Sequence, residues 1–290
     1  METKFNTDRP LGWADGRSDA EGRKVKRQGN KSLWQKESKK MKKLMLGFAM
    51  AAAMVASADV ESSNIVGYMD NGSTVSGLNV IGSGFVDIGL TSIKLNELKV
   101  ANAAGGEVTT GTCAVDLIDE NGNTLKSYLW ASSGRGTSKT WGWKEGGAAI
   151  DDTVVFARGA GMLFTAENAG DTFKSAGEVN LDGLTVSETV AGLNVIANPY
   201  PTTVKLNALQ VTNSSDGEVT TGTCAIDIID ENGNTLKSYL WASSGRGTSK
   251  TWGWKESGSA IDDSVVLTAG QAVLFTAENS GDKLIFPAQK

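Results

Sequence analysis

The chain has 290 residues, with 35 glycines, four prolines, two cysteines and no histidine; 28 basic and 33 acidic residues give a formal net charge of −5. The missing imidazole removes the commonest general base and the commonest metal ligand together. The length accommodates one large domain or two of ordinary size.

Residues 1–40 are rich in Lys and Arg, show little apolar periodicity and carry isolated Trp13 and Trp34. They read as a disordered or helical extension upstream of the true start. From Met41 a basic stretch, Lys42-Lys43, leads into an apolar run and an Ala56-Ser57-Ala58 site. That order predicts a secretory signal peptide over 41–58, with an apolar run short for a bilayer span. The mature chain is expected to begin at Asp59, outside the cytoplasm: periplasm, cell surface or medium. Residues 1–58 hold 13 basic and 6 acidic side chains, so 15 basic and 27 acidic remain, a net charge of −12. Such a surface repels nucleic acid and anionic lipid heads. No stable membrane insertion is expected after cleavage.

The mature chain is organised around a duplication. Gly106–Glu145 returns at Gly217–Glu256, changed only at Val115/Ile226 and Leu117/Ile228. Both changes keep an apolar side chain of similar volume, as a shared core requires. The flanks match more loosely: Gly77-Leu78-Asn79-Val80-Ile81 with Gly192-Leu193-Asn194-Val195-Ile196, and Lys94–Leu98 with Lys205–Leu209. The changing offset places a short insertion of the first copy around Gly82–Ser92, where the second reads Ala197-Asn198-Pro199-Tyr200-Pro201. We therefore expect an all-β protein of two tandem β-sandwich-like or open-barrel modules, 62–180 and 181–290.

Within each copy the alternating segments Cys113–Asp119 and Thr124–Trp130 flank Asp119-Glu120-Asn121-Gly122-Asn123. Asn-Gly supplies the positive φ of a tight hairpin turn. The acidic and amide residues also resemble a calcium loop, but the glycine is misplaced and the closing glutamate missing. No metal and no cofactor is expected. Ser132–Thr140 lacks the Gly-Lys-Thr/Ser core of a phosphate loop and reads as a loop with a cationic tip. Val154–Phe156 and Met162–Ala166 form a strand pair across a glycine turn, and a terminal strand follows at Thr172-Phe173-Lys174. Cys113 and Cys224 occupy matched strand positions; two readings fit, small buried core residues or a disulfide between the copies.

The run Ser62-Ser63-Asn64-Ile65-Val66-Gly67-Tyr68 after the signal peptide, Gly192-Leu193-Asn194-Val195-Ile196-Ala197-Asn198-Pro199, and Leu163-Phe164-Thr165-Ala166-Glu167-Asn168 carry a resemblance. The chain resembles exported β-rich repeat proteins of Verrucomicrobia-, Lentisphaerae- and Kiritimatiellae-type bacteria. That resemblance implies export and a β-rich fold, and it supplies no catalytic residue.

The candidate ligand-binding residues are the six mature tryptophans, three per module: Trp130, Trp141, Trp143 and Trp241, Trp252, Trp254. Trp141 and Trp143 are two apart, so a strand turns both to one face, either onto the core or out to stack on sugar rings. The paired carboxylates Asp151-Asp152 and Asp262-Asp263 are sequence neighbours, not groups set across a scissile bond. A non-catalytic exported structural or surface-interaction protein is the expectation. The alternative is a pair of carbohydrate-binding modules using the Trp-Gly-Trp faces. The partner is then a glycan or a surface protein, with oligomeric state open.

Overall fold

The computed structural model describes residues 66–70, 74–82, 85–86, 90–179, 181–186 and 189–289. The expected extension, signal peptide and mature N-terminus lie outside these residues. The first module comprises β1 (Val66–Asp70), β2 (Gly77–Gly82), β3 (Ser92–Lys94), β4 (Lys99–Ala101), β5 (Ala114–Ile118), β6 (Thr124–Ser133), β7 (Thr140–Glu145), β8 (Ala148–Ala149), β9 (Val155–Ala157), β10 (Gly161–Ala166) and β11 (Thr172–Glu178). The second repeats them in order: β12 (Leu184–Val186), β13 (Gly192–Ala197), β14 (Val204–Lys205), β15 (Gln210–Thr212), β16 (Ala225–Ile229), β17 (Thr235–Ser244), β18 (Thr251–Glu256), β19 (Ser259–Ala260), β20 (Val266–Leu267), β21 (Ala272–Ala277) and β22 (Lys283–Phe286).

Each module is built on a six-stranded antiparallel sheet, β2-β10-β5-β6-β7-β8 in the first and β13-β21-β16-β17-β18-β19 in the second. A three-stranded sheet accompanies each, β1-β11-β4 or β12-β22-β15, and neither six-stranded sheet closes into a barrel. The duplication thus appears as two sheets of identical connectivity. Their strand pairing agrees in detail: the β5–β6 register shifts between Leu117 and Ile118, and the β16–β17 register between Ile228 and Ile229.

Side-chain alternation explains the layers. Val115, Tyr128, Trp130, Trp143, Met162 and Phe164 point from the large sheet into one core, where Val100 and Phe173 meet them from the small sheet. Phe164 and Phe173 stack at 4.6 Å between ring centroids, a favourable tilted pair. A second core repeats this around Ile226, Tyr239, Trp241, Trp254 and Phe275. Cys113 and Cys224 are buried in these separate cores as free thiols, so no disulfide links the copies.

The hairpin turns follow their chemistry, but β9 and β10 do not pair across theirs: β9 joins β3, while β10 lies between β2 and β5. Gly122 adopts φ 83°, and Asp119 Oδ1 accepts the backbone N–H of Asn121 at 2.9 Å and of Asn123 at 2.8 Å. The carboxylate that resembles a calcium ligand is therefore occupied as the turn's own acceptor. Leu95–Glu97 and Leu206–Ala208 are single 3-10 turns, each burying its leucine. The segment expected as a loop with a cationic tip also folds back as a 3-10 turn, Gly136–Ser138, entered through Gly134 at φ 86°.

The two modules meet along a reciprocal seam. The N–H of Leu78 reaches the carbonyl of Glu231 at 3.0 Å, and the N–H of Leu193 reaches Glu120 at 2.9 Å. Gly82 bonds to Gly270 at 3.0 Å, and Ala197 to Gly159 at 2.8 Å. Leu78 and Leu193 are matched residues, as are Glu120 and Glu231, Gly82 and Ala197, and Gly159 and Gly270. Each module therefore donates to its neighbour the bonds it receives from it, the pattern of an isologous interface.

Candidate functional site

Four of the six tryptophans pack the cores. Trp130 is 1 % exposed, Trp143 and Trp254 2 %, and Trp241 5 %. Their indole N–H groups are used by buried carbonyls: Trp130 bonds Val108 at 2.8 Å, Trp143 Leu98 at 2.7 Å, Trp241 Val219 at 3.0 Å and Trp254 Leu209 at 2.9 Å. Trp130 and Trp143 also meet edge to face at 5.3 Å, matched by Trp241 and Trp254 at 5.3 Å. A ring held on both its polar and apolar sides offers no face to a ligand. As candidate ligand residues these four are therefore corrected to core residues.

Trp141 and Trp252 are different. They share the inward face with Trp143 and Trp254 but sit at its margin, half-buried and packed against the cores from outside. The expectation of a common face holds; it is the core face, and only its outer ring reaches solvent.

Trp252 lines a groove of about 420 Å³ in the second module, together with Gly253 of the same strand. Its other wall comes from β15 and the turn after it: Gln210, Thr212, Asp216 and Glu218. Alternation on β15 buries Val211 and turns Gln210 and Thr212 the other way. Asp216 is held by Lys283 Nζ at 2.6 Å. Thr212 Oγ1 is buried and has no hydrogen-bond partner. Sequence reasoning missed these wall residues because they form no motif. The available signal was position: Gln210, Thr212 and Asp216 flank an almost identical stretch and differ between the copies.

Two further grooves lie along the seam and are matched to each other. One, of about 620 Å³, has Leu236 and Val75 at its walls; the other, of about 340 Å³, has Leu125 and Val190. The smaller contains Arg158, whose Nε is buried without a partner, where the larger has Ala269.

The loop carboxylates are turn-makers. Asp151 accepts the Thr153 hydroxyl at 2.5 Å and its N–H at 2.9 Å, which hold it below the usual carboxylate range. Asp152 is lowered by Asn96, at 2.6 Å, and by Lys94, at 3.2 Å. Asp262 and Asp263 repeat both arrangements with Ser264 and with Asn207 and Lys205. Burial moves the thiols the other way: Cys113 is raised, and Cys224 is pushed up to about 11. Among the described residues no group of three or more Cys, Asp or Glu is placed to hold a metal ion, and no helix is long and apolar enough to cross a membrane. Comparison of the chain with protein-family models, with curated proteins and with solved structures found no match.

Proposed function

We propose that the chain is an exported, non-catalytic interaction protein of a bacterium, whose two joined modules present solvent-facing loops and grooves to a partner outside the cytoplasm. The observation that carries this is the condition of its reactive groups. The paired loop aspartates are held ionised by hydroxyl, amide and ammonium donors, and the thiols are held protonated by burial. A carboxylate committed to the donors of its own loop and a thiol sealed in the core are not free to act on a substrate. The signal-peptide pattern at 41–58 and the resemblance to exported bacterial repeat proteins support the placement.

Fractionating cells that express the gene tests this. The expected product lies outside the cytoplasm, begins at Asp59 and is captured by isolated cell-surface material without altering it. Retention in the cytoplasm, or peptides from residues 1–40 in the exported product, overturns it.

Carbohydrate binding is the second reading. One observation favours it: the half-buried ring of Trp252 faces a groove with hydrogen-bonding walls.

A further inference from the structure

We infer that the second module alone carries a binding groove for a neutral oligosaccharide, with Trp252 as its platform and Gln210, Thr212 and Glu218 as its polar rim. The inference rests on the carbohydrate reading and sharpens it: the duplication predicts two equal sites, whereas the residues around the matched tryptophans differ.

The platform is common to both modules. Trp252, Gly253 and Glu218 match Trp141, Gly142 and Glu107. The rim is not common. Where the second module has Gln210, Thr212 and Asp216, the first has Lys99, Ala101 and Gly105.

Thr212 is the most informative of these. Its buried hydroxyl has no partner, and such a group costs stability where it stands. The first module builds the same strand with Ala101, so the fold does not require the hydroxyl. A ligand that enters the groove and displaces the atoms covering the hydroxyl supplies the acceptor or donor that satisfies it.

The groove's composition selects the ligand. A half-buried indole takes the C–H face of a sugar ring, while an amide and a carboxylate bond its hydroxyls. Lys283, the cation beside the wall, is already held by Asp216. An acidic sugar would meet the Glu218 carboxylate with the nearby cation already engaged by Asp216, so the ligand is neutral.

The test uses the exported chain and four neutral hexaoses as probes: β-1,4-glucose, β-1,3-glucose, α-1,4-glucose and β-1,4-mannose, with a galacturonate hexamer as the charged control. Calorimetry is expected to give one bound hexaose per chain for at least one neutral probe and none for the galacturonate. Trp252→Ala should abolish binding and Trp141→Ala should leave it. The double change Gln210→Lys with Thr212→Ala installs residues the first module tolerates; it should keep the melting temperature and weaken binding by roughly tenfold or more, the loss of one to two hydrogen bonds. Two sites per chain, equal loss from both tryptophan changes, or no neutral probe bound by folded protein each overturn the inference. In the last case export and capture by cell-surface material still stand or fall separately.

Discussion

Gly192 lies so close to Glu120 that a Cβ would sit 2.4 Å from the Glu120 carbonyl oxygen, the same oxygen that accepts the N–H of Leu193 at 2.9 Å. Gly192 also holds φ +101°, a conformation only glycine adopts without strain. Gly192→Ala should therefore weaken the seam, lowering stability by about 2 kcal/mol or more through strain and clash. Denaturant unfolding measures the loss. The matched Gly77, with a Cβ 2.9 Å from the Glu231 carbonyl, predicts a similar effect. An unchanged midpoint for both variants would show that the seam does not constrain the modules.

The tryptophans should separate by position. Trp143→Phe keeps an aromatic ring but strands the Leu98 carbonyl, a cost of about 2 kcal/mol. Trp254→Ala should cost about 3–5 kcal/mol, the range for emptying a large core site. Trp141→Ala, at the margin, should cost clearly less than either. Equal costs at inner and outer positions would contradict the burial described.

Ser257 stands where the first module has Gly146, and it keeps the same left-handed backbone, φ 52° against 57°. Ser257→Gly should stabilise the protein by about 1 kcal/mol, relieving the strain of a side chain in that region. Thermal unfolding would register the gain. A loss would mean that the serine side chain makes up for its backbone.

The thiols and carboxylates set the pH limits. Asp119, Asp151 and Asp152 and their counterparts are ionised more readily folded than unfolded, through hydrogen bonds from neighbouring donors. Their contribution is present above the unfolded value, about 4, and is lost as pH falls through the lower folded values. Cys224 is raised by burial to about 11, so its contribution is present at neutral pH and fades from about 8.5 upward. Melting temperature should be flat from about pH 5 to pH 8 and fall on both sides. Iodoacetamide at pH 8 should label neither cysteine in the folded chain and both in denaturant. Rapid labelling of the folded form would refute the buried thiols.

The central hairpins were legible because their signals are local: Asn121-Gly122 demands a turn, and alternation on each side demands strands. Tandem modules followed from Gly106–Glu145 recurring. The tryptophan environment was not legible, since alternation places Trp141 and Trp143 on one face without saying what covers it. The seam was hidden for another reason. Its bonds run through the backbone of Leu78, Gly82 and Glu120, and side-chain pattern carries no record of which carbonyl a free strand edge will find. The Thr212 wall faces a groove that β15 and β18 line together, and these strands are far apart in sequence.

The reciprocal seam has the geometry of two identical subunits, yet both halves are written on one chain. In a true homodimer every surface change is copied to both halves, so a hydroxyl gained at one groove is gained at the other. Covalent joining removes that coupling. The bonds of Leu78 and Leu193 preserve the symmetric frame because they use backbone alone, while Thr212 and Ala101 are free to differ. One half can then specialise for a ligand and the other serve as its support.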